Sequence, residues 1–347
     1  MRTGVWCIVI VLLAAILVVA VGFLSIETFF VRPAMLVRPK ISPTRSTVYR
    51  WVKSYVKNES KKALLGVVKD SHRGAIGRKI IQQPYVDALC NTKVVVICSP
   101  NGWEGDSRTP EAISSGAAVV YSKLLRPTPG LDPRLSFGTQ KELHKLLRKV
   151  LRNPAKYVRA PYTPKEMVTH VVKTMALRDD AKIALADDLA VLKLSEIHRK
   201  KFDEYGRFPE FETFESGVAG LRRAAPSIEQ ADAVVFITQR LSGNENYPEH
   251  ALDWVRSKAV QGKALAIADF SDDPNPCALI DQLADHATIF KRSMVDRKIG
   301  KLTSAAHKCH PIWYSVRDEF ARRVNAAKKP MGDREVDIAY LYNRRNN

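Results

Sequence analysis

The sequence lacks cysteines in any regular arrangement. Five cysteines occur in 347 residues, and no two have the Cys-x-x-Cys spacing of a zinc site. This excludes a disulfide framework, while a single bridge in an oxidising compartment stays open. The motif His307-Lys308-Cys309-His310 has no second ligand cluster, so a surface loop is favoured over a metal site.

A long block of one charge is also missing. Lys and Arg outnumber Asp and Glu by 55 to 36, which gives a net charge of +19, but the basic residues are spread along the chain. Such an excess attracts phosphates, anionic lipid headgroups or nucleic acid. Without a basic block we expect no nucleic-acid partner, and a basic membrane-tethered protein that binds nucleic acid is the third-ranked interpretation.

Acidic pairs suited to a metal are scarce. Asp179-Asp180 and Asp187-Asp188 lie in a charged stretch, and no Asp-x-Asp stands at the end of a predicted strand. We therefore expect no metal and no cofactor.

The N-terminus contains a long uncharged run. Residues 5–24 are almost all Val, Ile, Leu and Ala. A helix of about 20 residues spans about 30 Å, the thickness of a bilayer's hydrocarbon core, and the apolar core of a signal peptide is shorter. The sequence predicts a transmembrane signal anchor at residues 5–27, followed by a proline-containing stem at 28–47.

The rest of the chain alternates between buried apolar runs and helical patterns. This alternation predicts an α/β fold with parallel sheets covered on both faces. We expect two Rossmann-like lobes, at residues 48–163 and 206–333, with a helical connector at 164–205 and a final strand within 334–347. A ligand is expected in the cleft between such lobes.

One strand–loop–helix segment, residues 99–116, has the composition of a phosphate site. Thr109 is predicted to cap the helix, and the free amides of a helix N-terminus favour a diphosphate. Arg108 is suited to clamp a phosphate oxygen, and Glu111 to accept hydrogen bonds from ribose. Gly116 lets the helix end close to the next strand. The plain alternative is an ordinary junction in which Glu111 only favours the helix dipole.

The stretch EGDSRTPEAISSGAAVV resembles the donor-binding signature of GT-B-fold glycosyltransferases, especially the exostosin-like and spore-maturation-type groups, and the similarity covers roughly residues 60–160. The resemblance implies a donor lobe at 48–163 and an acceptor-side lobe at 206–333. It implies a donor site that also includes a catalytic Glu104. The donor-binding positions are Trp103, Gly105, Asp106, Ser107, Arg108, Thr109, Glu111 and Gly116.

The resemblance predicts transfer of a sugar from a nucleotide-sugar donor to a glycan or protein acceptor. Six residues separate Glu104 from Glu111, whereas retaining families with two glutamates here have seven, so the stereochemistry is not assigned. A catalytically inactive relative that binds nucleotide sugar or glycan is the alternative. For an inverting reaction, the base is expected in the second lobe, and the candidates are Asp269, Asp272, Asp273 and His250. Asp269 and Asp272 are favoured because they follow the carboxyl end of a strand.

The order of the lobes is reversed relative to that family, in which the donor lobe comes second. The final strand, beginning near Val336, is expected to return to the first lobe and to continue naturally into the helix that begins near Val48. Circular permutation explains this order. The rival explanation is a piece of a tandem array or a faulty gene model.

Secretory-pathway glycosyltransferases usually have their body in the lumen, and Asn58-Glu59-Ser60 is a potential glycosylation acceptor. The positive-inside rule, in contrast, favours a cytoplasmic body, because more basic residues follow the apolar run than precede it. We expect a single-pass type II protein facing the lumen of the Golgi apparatus or endoplasmic reticulum.

Overall fold

The structure is a computed structural model that describes residues 43–66, 83–98, 108–124, 126–188, 209–239, 241, 247–271, 277–296, 301–302 and 304–341. All of them belong to one compact unit that extends from Lys40 to Asn347. Within these residues, no helix is both long and apolar enough to cross a membrane. The predicted membrane segment at 5–27 lies outside the described residues.

Helices and strands alternate along most of the described chain. The helices are α1 (Arg45–Asn58), α2 (Gln83–Cys90), α3 (Arg108–Ser114), α4 (Gln140–Arg152), α5 (Pro164–Thr174), α6 (Pro209–Gly220), α7 (Tyr247–Val260), α8 (Ile280–Ala284) and α9 (Asp318–Ala327). The strands are β1 (Ala63–Gly66), β2 (Thr92–Ile97), β3 (Ala118–Ser122), β4 (Ser136–Phe137), β5 (Ile183–Ala186), β6 (Ala233–Thr238), β7 (Ala264–Asp269), β8 (Thr288–Lys291), β9 (Val295–Asp296), β10 (Lys301–Leu302), β11 (Cys309–Pro311) and β12 (Val336–Leu341).

The first sheet contains the last strand of the chain. Its order is β1-β12-β2-β3-β4, and its neighbouring strands are parallel. β12 lies between β1 and β2, with Ile338 opposite both Ala63 and Val94. The sequence prediction that the final strand returns to the first sheet is confirmed.

Two layers of helices cover the first sheet. α1 packs against α4, and α9 packs against α2 and α3. Successive residues of β2, such as Val94 and Val95, are both buried, as expected for a parallel sheet with helices on each face. α4 is fixed at its start by a capping box in which Thr139 and Glu142 each accept from the other's backbone N–H.

The second sheet has the order β5-β6-β7-β8-β11 and is also parallel. Alternate residues of β6 face two separate cores: Val234 and Phe236 pack on the side of α7, while Val235 and Ile237 pack on the side of α5 and α6. The fold is therefore α/β with two Rossmann-like parallel sheets.

The predicted helical connector at 164–205 is wrong in part. α5 packs against α6, and β5 pairs with β6 as an edge strand of the second sheet. The second sheet therefore begins before residue 206. The short apolar run of β5 (Ile183–Ala186) follows a charged stretch that obscured its strand character.

Two segments join the sheets side by side. The chain leaves the first sheet through residues 158–163 and returns through 312–317, and the N–H of Val316 donates to the carbonyl of Tyr162 over 3.1 Å. α5 begins directly after the first segment, with Pro164 in its first turn and a capping box between Thr163 and Glu166.

Candidate functional site

When β12 is counted as the first strand, as a permuted chain would have it, the strand order of the first sheet reverses between β12 and β2. Counted from β12, the strands lie across the sheet in the order 2-1-3-4-5, with β1 on one side of β12 and β2, β3 and β4 on the other. In parallel sheets of this order, ligands bind at the reversal, outside the carboxyl ends of the strands. β2 ends there, directly before the segment at 99–116 that the sequence indicates.

The described chain also begins at this edge. The Sγ of Cys98, which follows β2, donates to the carbonyl of Pro43 over 3.1 Å. Tyr340 of β12 contacts the backbone of Arg45. The start of α1 therefore lies beside the ends of both strands that flank the reversal.

Arg108 is the first residue of α3 and is half-buried. Thr109 is completely buried, and its Oγ1 makes no hydrogen bond with the described residues. The prediction that Thr109 caps the helix is wrong, because the helix begins one residue earlier and Thr109 lies inside its first turn.

Glu111 is held by a neighbouring helix. The phenol of Tyr85, on α2, donates a hydrogen bond of 2.7 Å to Oε2 of Glu111, and the Tyr85 ring packs against that of Phe320 with centroids 6.4 Å apart. Arg108 and Glu111 are three positions apart, so their side chains leave neighbouring points of α3. Tyr85 was not expected from the sequence, because its partner is 26 positions away.

Gly116 lies at the opposite end of α3. Its φ of +74° is left-handed, and its N–H donates to the carbonyl of Ile113 over 3.0 Å. It precedes the amino end of β3, so the seven residues of α3, about 10 Å of helix, separate it from the carboxyl edge. Gly116 ends the helix as expected, but it is not part of the cluster at Arg108.

Several predicted site residues lie outside the described residues. They are Trp103, Glu104, Gly105, Asp106, Ser107 and Asp272. Of the predicted site, the structure thus brings together Arg108 and Glu111 at the start of α3.

Asp269 is the base candidate that the structure does describe. It ends β7 opposite Lys291 of β8, and Lys291 Nζ lies 2.9 Å from Asp269 Oδ2, with both side chains 1% exposed. Oδ1 accepts from the N–H of Ser271, whose hydroxyl accepts from Lys291 Nζ, each over 2.8 Å. The Asp269 carboxylate, which the sequence proposes as a base, is thus enclosed with its cation.

Arg292 is enclosed at the same edge. Its Nε donates to the carbonyl of Phe270 over 3.3 Å, and its guanidinium lies 4.6 Å from the centre of the Tyr314 ring. Guanidinium groups stack favourably on such rings. Lys291 and Arg292 together fix the ends of β7 and β8 to the segment after β11.

The carboxyl edges of the two sheets approach each other on one side. Trp313, which follows β11, donates from its indole Nε1 to the carbonyl of Arg126, which follows β3, over 3.1 Å. Segments from the carboxyl ends of both sheets are therefore in direct contact.

A groove of about 370 Å³ lies between the sheets near the amino end of β3. Its lining includes Ser114, Lys165, Ser216, Asp318, Asn325 and Lys328. Ser216 of α6 donates to Asp318 of α9 across this boundary. Because Ser114 is the last residue of α3, the groove lies at the end of the helix away from Arg108.

The cysteines and acidic pairs give no metal centre among the described residues, where no group of three or more His, Cys, Asp or Glu side chains is suited to hold an ion. Burial raises the pKa of both Cys277 and Cys309 to about 11. Asp187 and Asp188 are buried at the carboxyl end of β5.

The sequence matches no family model and no curated protein at a significant level. Among solved structures, it is similar to an alcohol dehydrogenase from the archaeon Thermococcus sibiricus complexed with 5-hydroxy-NADP. The identity is 14%, the TM-score is 0.15, and the match covers 74% of this chain and 100% of that chain. At this score the similarity supports no conclusion about function.

Proposed function

We propose that this protein is a membrane-anchored glycosyltransferase that takes its sugar from a nucleotide-sugar donor. The observation that carries the proposal is the position of β12 between β1 and β2, which places the strand-order reversal beside the segment resembling a donor-binding signature. A nucleotide ligand is expected at such a reversal.

Two described residues have roles in this proposal. Arg108 neutralises the leaving diphosphate as the glycosidic bond breaks, without need for a metal. Glu111 accepts from the ribose hydroxyls through the carboxylate that Tyr85 orients. The donor lobe is proposed at 48–163, with Glu104 and residues 103–107 completing the site.

The acceptor side is proposed to be the lobe built on the second sheet. The contact between Trp313 and Arg126 supports this arrangement, because it brings the carboxyl ends of both sheets together. Because Asp269 is enclosed by Lys291, we favour Asp272 among the candidates for the base.

The order of the lobes is proposed to reflect circular permutation. Cys98 contacts Pro43 and Tyr340 contacts Arg45, so the end of β12 lies beside the start of α1, where an unpermuted chain would continue. β12 fills the first sheet of its own chain, and this position supports a permuted order of the strands.

A panel of nucleotide sugars tests the proposal on the full-length protein in detergent. A ligand that binds only the native state stabilises it by RT ln(1 + [L]/Kd) and therefore raises the melting temperature. We expect one donor to do so and to be turned over when acceptors are supplied. Arg108→Ala should abolish both effects, whereas Arg322→Ala, an exposed arginine on α9, should abolish neither. Wild-type turnover in Arg108→Ala would exclude this donor site.

The same panel distinguishes the catalytically inactive relative. The hydrogen bond from Tyr85, which occupies one oxygen of Glu111, and the six-residue spacing favour this second candidate. Saturable binding of UDP that Arg108→Ala removes, with neither transfer nor hydrolysis of any donor, would establish it.

A further inference from the structure

The outer surfaces of α1 and α4 carry a concentration of positive charge. α1 has four basic residues and no acidic residue, and α4 has five basic residues and one acidic residue. That acidic residue, Glu142, accepts hydrogen bonds from Gly138 and Thr139 at the start of its own helix. The local charge is therefore denser than the scattered basic residues of the sequence suggest.

The spacing of these residues places them on the side away from the core. Both helices bury one face against the first sheet, through Val48 and Val52 on α1 and Leu143 and Leu147 on α4. Residues three, four or seven positions apart share one side of a helix. Among the exposed cations at this spacing are Arg50, Lys53, Lys57, Lys141, Lys145 and Arg152, and we call these six residues the basic face.

The two helices form one continuous surface. The ring of Tyr55 lies 5.3 Å from that of His144, whose Nε2 is 2.9 Å from the carbonyl of Trp51. Arg148 pairs with Glu59 across the helices over 2.9 Å. The cations of α1 and α4 are therefore held side by side on packed helices.

We propose that the basic face docks the folded body onto a bilayer surface rich in anionic lipids. Each Lys or Arg near such a surface adds to the attraction, and basic clusters close to a membrane segment favour acidic headgroups. Thr44, which caps α1, is only 20 positions beyond Leu24, the last residue of the apolar run at 5–24. A tether this short keeps the face at a high effective concentration near the membrane, which favours lipid over free nucleic acid.

Docking through the basic face bears on the orientation of the protein in the membrane. Asn58 is exposed at the end of α1, beside Lys57, so a glycan there would stand on the docking surface. Docking therefore favours the cytoplasmic side, where anionic lipids are concentrated and where the positive-inside rule places the body. It uses the proposed membrane segment for its tether and does not depend on the sugar-transfer activity.

Lysine acetylation measured by mass spectrometry tests the docking on the full-length protein. The protein is reconstituted in vesicles of phosphatidylcholine alone or with one third phosphatidylserine. Lys53, Lys57 and Lys145 should react several-fold more slowly on the anionic vesicles. Lys165 and Lys173, exposed on α5, are controls in the same molecule and should react equally on both. Raising the salt from about 0.1 M to about 1 M shortens the Debye length from about 10 Å to about 3 Å and should remove the difference.

A matched pair of triple variants isolates the charge. Lys53→Gln/Lys57→Gln/Lys145→Gln should lose the lipid-dependent protection of Lys141, whereas Lys165→Gln/Lys173→Gln/Arg256→Gln, with the same loss of charge, should keep it. Equal acetylation on the two kinds of vesicle overturns the proposal, as does duplex DNA protecting the face in preference to the anionic vesicles. If the protein is released from neutral vesicles but its lysines stay protected on anionic vesicles, the apolar anchor is refuted and the docking proposal is supported.

Discussion

The phenol of Tyr340 donates a hydrogen bond of 2.8 Å to the backbone carbonyl of Arg45, 295 positions earlier in the chain. This bond ties the last strand to the first helix, and the ring of Tyr49 adds a contact with that of Tyr340, with centroids 6.4 Å apart. The two ends of the described chain therefore belong to one folding unit.

A reordered chain should fold as well as the natural order. Placing residues 328–341 before residue 43 through a short glycine–serine linker, and ending at residue 327, keeps every strand of the first sheet. We expect a melting temperature within a few degrees of that of residues 43–341 in natural order, measured by circular dichroism.

The control is the same natural-order chain ended at residue 327. Without β12, the first sheet loses the strand that pairs with both β1 and β2, so its cooperative unfolding should disappear. A reordered chain that behaves like this truncated one would argue against a permuted arrangement.

Removing one partner of the buried pair of Asp269 and Lys291 should lower the stability of the protein strongly. Lys291→Met leaves a carboxylate without its cation, and we expect a loss of about 3–5 kcal/mol in the free energy of unfolding. The double variant Asp269→Leu/Lys291→Met should recover most of it. Urea denaturation gives both values.

An exposed pair provides the comparison. Lys308 lies 2.6 Å from Asp281, with side chains 35% and 71% exposed, and Lys308→Met should cost at most about 1 kcal/mol. If Lys291→Met and Lys308→Met lower the free energy of unfolding equally, burial of the Asp269–Lys291 pair is unimportant for stability.

Gly116→Ala should destabilise the turn between α3 and β3. Its φ is +74°, and an added Cβ would lie 2.6 Å from Cε of Lys328 and 3.1 Å from Nη2 of Arg334. We expect a loss of about 1–2 kcal/mol, the cost of left-handed backbone for a residue with Cβ. Gly332→Ala, where nothing lies within 4 Å of the added Cβ, should change stability little. Similar melting temperatures for the two variants would contradict the strain argument.

Asp132 should contribute stability that acid removes. Hydrogen bonding to the Arg134 guanidinium, helped by Arg159, lowers the pKa of Asp132 from 3.8 to about 2. A carboxyl group whose pKa is lower in the folded state stabilises the fold at pH values above its unfolded-state pKa. This contribution is lost as pH falls from about 4 to about 2. Asp132→Asn should therefore cost about 2 kcal/mol at neutral pH and little near pH 2.

The measurement is the free energy of unfolding of both proteins across pH. Asp285→Asn, at an exposed carboxylate, serves as the control and should differ from wild type by the same small amount throughout. A penalty for Asp132→Asn that does not change with pH would refute the charge-dependent contribution.

The sequence predicted the central elements of both sheets because their residues form continuous buried runs. β2 and β7 show this, since nearly all their residues are buried. β5 was missed, and β4 and β11 have only two and three residues, too short for a periodic signal. Whether such short strands form depends on hydrogen bonding to neighbouring strands that are distant in the sequence.

The chemistry of individual side chains was less predictable than the elements that carry them. Asp269 stands at the end of a strand, as expected of a base, but Lys291 neutralises it from the next strand. Similarly, Tyr85 fixes Glu111 from another helix. Such partners are set by tertiary packing, whereas the turn at Gly116 could be anticipated because its requirement is local.

The central position of β12 reverses the usual relation between protein synthesis and folding. Domains nearest the start generally fold first as a chain leaves the ribosome. Here β5 to β11 are all translated before β12, so the second sheet can assemble while β1 and β2 still lack the strand between them. The sheet whose strands are mostly made first is therefore completed last, and two unpaired strand edges are exposed to wrong partners until β12 is made.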